Sequence, residues 1–222
     1  MINLNPPIVD TRVIDNFLSN TEVESILLEA ITVDPNAISE TYSENELECK
    51  ITSILDNPSM KNSDLLLREK MHKEFGADLV IGGMHILESY TPYRTHIDGI
   101  YGEYGIDDDH YGAYTVVIPL ETVDSNTVIF NEWYTTSKNI DEYIQKADPI
   151  DSIDDETYEK YLSYELREKM RYLSIETVFP WKTGSLLAAS RYKWHCSDNY
   201  LKNGIESKTA VIMWCTLPYK SK

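Results

Sequence analysis

Residues 78–90, DLVIGGMHILESY, abandon the helical spacing that precedes them and open a series of short β-rich runs. YGAYTVVIPLE (111–121), NTVIFNEW (126–133), SIETVFPW (174–181), GSLLAAS (184–190) and KTAVIMWCTL (208–217) follow, separated by turn residues. Upstream, residues 8–18 read as a short strand feeding a helix. Ser19-Asn20-Thr21-Glu22 has the capping-box spacing, Leu18 and Val23 can close a hydrophobic staple, and Val23, Ile26, Leu27 and Ala30 form an apolar stripe. A second helix is expected over about 64–75, with Asn62 or Ser63 as cap and Gly76 as stop. Between about 135 and 172 a polar, acidic stretch interrupts the strands and reads as a helical insertion. Ser152 and Asp155 mark its start, and Tyr158, Tyr161, Leu162 and Met170 face inward. The expectation is one α+β domain over 1–222: a strand and supporting helices at 8–76, a sandwich or jelly-roll core at 78–134 and 173–219, and the insertion at 135–172.

Composition narrows the function classes. The chain has 222 residues, 42% of them apolar, enough for a globular core and too many for a disordered chain. Lys and Arg total 20 against 37 Asp and Glu, and a net charge of -17 repels nucleic acid and anionic bilayers alike. No apolar run is long enough to span a bilayer, and MINLNPPIVD has no signal-peptide pattern, so the expected location is cytoplasmic. Cys49, Cys196 and Cys215 are odd in number and widely spaced, as reduced thiols would be.

The five histidines are the first place to look for chemistry. His72 falls on the polar face of the second helix and is expected in solvent; His85, mid-strand, is expected to pack or to make a buried hydrogen bond. His96 heads His96-Ile97-Asp98 within YTPYRTHIDG, and residues i and i+2 of an extended chain share a face, so imidazole and carboxylate can bind one metal ion. GSLLAASRYKWH reads as an apolar strand ending in His195, which can complete a facial set of two histidines and one carboxylate with three adjacent positions open. In SKTAVIMW, period two puts Lys208, Ala210, Ile212 and Trp214 on one face, and a cation on an apolar face calls for a buried carboxylate partner.

These segments, in this order, resemble the Fe(II)- and 2-oxoglutarate-dependent dioxygenases, most closely the prolyl 4-hydroxylase-like branch. RVIDNFLSNTEVESILLEA resembles the entry strand and helix of that branch, YTPYRTHIDG its HxD strand, FPWKTGSLLAASRYKWH its distal-histidine segment, and Lys208 with Trp214 its cosubstrate strand. The resemblance implies a double-stranded β-helix, with Fe(II) ligands His96, Asp98 and His195. It pairs Lys208 with the distal carboxylate of 2-oxoglutarate and has Tyr90 or Tyr93 add a phenol hydroxyl. Arg94, Asp107, Asp109 and Trp194 become candidate substrate contacts. The implied reaction takes substrate, O2 and 2-oxoglutarate to hydroxylated product, succinate and CO2, with ascorbate as reductant. Peptidyl proline is the substrate that the resemblance suggests first, and a free amino acid or other small metabolite the alternative.

Asp124-Ser125-Asn126 replaces the Gly-Gly turn usual in that branch, and Ala210 stands where many relatives have a hydroxyl. The acidic segment at 99–112 reads either as solvated surface or as a lid steering a cationic substrate. Two other readings stand beside the enzyme. Asp107-Asp108-Asp109-His110 could bind Ca2+ or Zn2+ by itself, and the chain could be a non-catalytic β-sandwich, such as a viral structural or binding module. The sequence leaves the oligomeric state open.

Overall fold

Strand β1 (Arg12–Ile14) leads to helix α1 (Asn20–Ile31), which starts as its sequence dictates. The Glu22 N–H donates to the Ser19 hydroxyl and the Ser19 N–H donates to the Glu22 carboxylate, closing the capping box. The computed structural model describes residues 6–34, 39–42, 48–55, 57–99 and 102–219. Residues 1–5, which carry part of the reading of the chain's start, lie outside the described residues, as do Ile100 and Tyr101 of the acidic segment.

Helix α2 (Lys61–Phe75) begins earlier than expected, because a 3-10 turn at Pro58–Met60 feeds it and Asn57 caps that turn. Asn62 and Ser63 are therefore not caps. Their backbone and side-chain donors all converge on the Glu29 carboxylate of α1, which ties the two helices together. Gly76 ends α2 at φ +99°, as its sequence position predicts. His72 is turned back rather than solvated: its Nε2 lies 3.0 Å from the Leu79 carbonyl.

Among the described residues nine further strands follow: β2 (Ser39–Tyr42), β3 (Glu48–Ser53), β4 (Val80–Ser89), β5 (His110–Pro119), β6 (Asn126–Trp133), β7 (Ile175–Pro180), β8 (Leu186–Ser190), β9 (Lys193–Ser197) and β10 (Lys208–Pro218). They form two antiparallel sheets, a large one in the order β1-β8-β5-β10-β4-β3-β2 and a small one in the order β7-β6-β9. The architecture is the expected double-stranded β-helix on N-terminal helices. One face of the large sheet packs Val116, Ile118, Val211 and Met213 against Ile26, Leu67 and Met71 of the helices. Its other face meets the small sheet through Val117, Leu187 and Ala210 on one side and Ile129 and Phe179 on the other.

GSLLAASRYKWH is not one strand. The chain turns at Arg191 and Tyr192, leaves the large sheet at β8 and enters the small one at β9, so His195 sits mid-strand in the second sheet. Strands β2 and β3 were not expected either. The insertion is helical in short pieces: α3 (Ile140–Ile144), α4 (Asp155–Thr157) continuing into a π-helical turn at Tyr158–Leu162, and α5 (Arg167–Met170). Asp154, rather than Ser152 or Asp155, caps α4 by accepting from the Thr157 N–H. Leu162 and Met170 are buried with Val128, Phe130 and Trp194, and Tyr158 and Tyr161 pack at the edge of that cluster, as the spacing predicts. Among the described residues no helix is long and apolar enough to cross a membrane.

Candidate metal centre

His96 and His195, far apart in sequence, face each other as an isolated antiparallel bridge. The His96 N–H donates to the His195 carbonyl at 3.0 Å and the His195 N–H returns the bond at 2.9 Å. Asp98, two residues on, is fixed by its N–H to the Arg191 carbonyl and by the Arg191 guanidinium to its own carbonyl. One ligand atom from each of His96, Asp98 and His195 lies within 4.8 Å of the others. The three residues expected to form the site are therefore brought together.

The opposite ring nitrogens settle which atoms face inward. His96 Nδ1 is 2.7 Å from the Arg94 carbonyl and His195 Nδ1 is 3.0 Å from the Lys193 carbonyl, so each holds its proton at Nδ1 and directs the Nε2 lone pair at the centre. The Nε2 atoms stand 3.7 Å and 3.3 Å from Asp98 oxygens, and Thr115 donates its hydroxyl to Asp98 Oδ2 at 2.6 Å. Burial, followed by the neighbouring His195, holds His96 down at about 4. Burial alone would raise the Asp98 carboxyl and lower His195. Their mutual attraction overrides it, holding Asp98 well below the usual range and His195 above its own. Two imidazole Nε2 atoms, with their Nδ1 protons tied to carbonyls, and an ionised carboxylate are donors suited to a divalent metal, and such a set leaves three adjacent positions open.

Lys208 is 2% exposed. Its ammonium donates to Ser125 Oγ at 2.9 Å and lies 4.0 Å and 4.8 Å from the ring centroids of Trp181 and Tyr200. Ser125 in turn donates to Asp198 Oδ1 at 2.7 Å, and Asn126 holds the other oxygen at 2.8 Å. The buried carboxylate that Lys208 calls for is thus within the chain, one hydroxyl away. Burial lowers the lysine to about 7 despite the opposing pull of Asp198. An ammonium has three N–H donors; Ser125 takes one.

Tyr93 packs on His96, ring centroids 4.9 Å apart, whereas Tyr90 lies beside Lys50 and Glu88. Arg94 contributes its carbonyl to His96 and keeps its side chain at the surface. Asp107 accepts from the Asp109 and His110 N–H groups and from His110 itself, so this carboxylate serves its own turn. Asp109 gives its carbonyl to the Tyr219 N–H. Trp194 does not face the centre. Alternation along β9 turns it away from His195, and it is fully buried against Tyr134 and Tyr143. His85 makes no buried hydrogen bond through Nδ1; it packs on Trp214 instead.

Thr115, Ser125, Arg191 and Asp198 were missed in the sequence. Only Ser125 carried any signal, as part of the turn where Gly-Gly was expected. The guanidinium of Arg191, wholly buried, also donates to the Tyr104 carbonyl and pins the segment after Asp98 across the large sheet, where Tyr104 stacks on Trp214 at 4.3 Å.

No protein-family model and no curated protein matches the sequence. Solved structures do match its fold. The alpha-ketoglutarate-dependent carbocyclase SnoK from nogalamycin biosynthesis superposes with a TM-score of 0.60 at 13% identity, covering 93% of this chain and 79% of that one. The epimerase SnoN, in complex with Fe3+, alpha-ketoglutarate and nogalamycin RO, gives 0.57 at 10% identity over 93% and 78%. EctD from S. alaskensis, with 2-oxoglutarate and 5-hydroxyectoine, gives 0.53 at 11% identity over 93% and 72%. What these structures share with the chain is the double-stranded β-helix fold. At such identities only the fold is shown, and the chemistry has to be argued from His96, Asp98, His195 and Lys208 themselves.

Proposed function

We propose that the protein is an Fe(II)- and 2-oxoglutarate-dependent oxygenase acting on a C–H bond of a small metabolite. One observation carries the reading: two imidazole Nε2 atoms and one carboxylate converge, with both Nδ1 atoms already tied to carbonyls. Bound there with 2-oxoglutarate and O2, iron supplies the oxidising chemistry that yields succinate and CO2. The chain's own part is to bind, orient and shield. His96, Asp98 and His195 would hold the metal, and Thr115 keeps one Asp98 oxygen directed. Lys208 would meet the distal carboxylate with the N–H donors that Ser125 leaves free, inside a wall of Trp181 and Tyr200 that keeps water out. Tyr93, against His96, stands closer to that task than Tyr90. Ascorbate would keep the metal reduced.

A small substrate is favoured by what solved enzymes of this fold hold. Solved enzymes of the same fold hold nogalamycin RO and 5-hydroxyectoine, both small molecules. Peptidyl proline is the rival substrate. A cationic metabolite is the narrower form of the proposal, and it would have to look beyond Asp107, occupied by its own turn, and Glu103, paired with Lys138 at 2.6 Å.

Succinate release, measured with Fe(II), ascorbate and 2-oxoglutarate over small metabolites and prolyl peptides, tests the reading. Metabolite-dependent release that disappears in His195→Ala is expected. Release driven by prolyl peptides alone would move the substrate class, and undiminished turnover in His195→Ala would sink the metal assignment.

A further inference from the structure

The insertion reaches both segments that carry the candidate metal ligands. Glu165, 7% exposed, accepts from the Thr95 N–H at 2.5 Å and from the Thr95 hydroxyl at 2.9 Å, and Thr95 directly precedes His96. Tyr164 directs its single O–H between two carbonyls, that of Tyr93 at 2.8 Å and that of Ser197 at 2.6 Å. Those carbonyls flank His96 on one side and His195 on the other. The Asn199 N–H donates to the Tyr161 carbonyl at 3.1 Å, and the Tyr158 hydroxyl donates to the Glu165 carbonyl at 2.6 Å, closing the segment on itself. The π-helical turn at Tyr158–Leu162 immediately precedes these residues, and such turns concentrate at functional sites.

Resting on the metal-centre reading, we infer that Glu165 and Tyr164 are positioning residues for the metal ligands, and that the insertion braces the segment leading into His96 and the end of the His195 strand. A ligand set must be held to within about half an ångström to bind its ion well, and groups one shell out do that holding. The bridge between His96 and His195 fixes their backbones against each other, and His195 is further paired with Ile129 of β6, but the run from Tyr93 to Thr95 that leads into His96 belongs to no strand. Glu165 and Tyr164 hold that run. A carboxylate is buried here although Thr95 offers it only neutral donors, an arrangement that costs desolvation and is reasonable where it fixes a geometry.

The test is the affinity of the metal-free protein for Mn(II) alone, by calorimetry, together with the visible ligand-field bands of the Co(II)-loaded protein. Glu165→Ala should bind Mn(II) roughly 10- to 100-fold more weakly than wild type and shift the Co(II) bands. Glu165→Gln keeps an acceptor for both Thr95 donors and should restore affinity and spectrum. Should Glu165→Ala fail to fold, Thr95→Val and Tyr164→Phe carry the test, each expected to weaken Mn(II) binding. Wild-type Mn(II) affinity and unshifted Co(II) bands in the folded variants, with only the metal-free melting temperature lowered, would make the contacts structural and overturn the brace. Absence of Mn(II) binding by the wild type would remove the metal site itself, and the brace with it.

Discussion

Lys208 shows at the scale of one residue how burial and function oppose each other. Held near 7 in the folded protein, it returns to about 10.4 on unfolding, so between those values the unfolded chain binds the extra proton and stability rises with pH. Below pH 7 the cost of a buried cation is fully present. In the metal-free, cosubstrate-free protein, Lys208→Met should therefore be the more stable form in urea at pH 6, with an advantage that shrinks by at most about 1.4 kcal/mol per pH unit above 7. An advantage unchanged from pH 6 to 9 would mean that Lys208 does not titrate there. By the same linkage, 2-oxoglutarate binding at pH 8 should take up a proton, visible as a binding heat that depends on the buffer's ionisation enthalpy. Lys208 and the three ligands were legible through their order along the chain: the His96-Ile97-Asp98 spacing is weak by itself, since His110 also stands two residues from Asp108, and it gained weight from a later apolar run ending in His195 and a lysine inside an apolar strand. Asp198 and Arg191 were not, since a polar residue beside a strand end reads as surface until the second sheet covers it.

Among the elements, the segment after Asp98 has the sharpest mechanical constraint. It crosses β4 so closely that a Cβ at Gly82 would drive into the Tyr104 carbonyl. Gly82→Ala should lift the segment, costing about 1 to 3 kcal/mol as overpacking does. Faster amide exchange at Gly102 and Ile106, whose N–H groups bond within the segment, should accompany the loss. Protection equal to wild type would show that the strand moves instead. Arg191→Lys should loosen the same amides without a clash, because an ammonium cannot span the Asp98 and Tyr104 carbonyls as the guanidinium fork does. Most strands were readable from β-branched runs between turn residues. The break between β8 and β9 was not, because Arg191-Tyr192 has neither Gly nor Pro and burial continues through it. Strands β2 and β3 escaped for the opposite reason, their sequences SETY and ECKITS being too polar to stand out. The start of α2 was hidden because its donors are met by a carboxylate from another helix.

For the whole molecule, ligand binding should appear as stability. A ligand that binds only the folded state adds RT ln(1 + [L]/Kd), about 2.7 kcal/mol at a hundredfold excess over Kd. Mn(II) should raise the melting temperature of the wild type, and 2-oxoglutarate should raise it further. Lys208→Ala should keep the first increment and lose most of the second. Loss of both would place Lys208 in the metal centre rather than the cosubstrate pocket. The net charge of -17 enters here too, since screening its self-repulsion should raise the baseline modestly with salt.

Strand β10 lies fourth of seven in the large sheet, hydrogen-bonded to β4 on one side and β5 on the other, yet it follows both in the chain. During synthesis the facing edges of β4 and β5 must therefore wait, unpaired, until residues 208–218 have left the ribosome. Waiting edges are templates for other chains, so the nascent protein passes through a stage at which a chaperone has more to protect than it does in the finished fold. His195 is made only shortly before β10, so the three residues that would hold a metal come together at the same late stage.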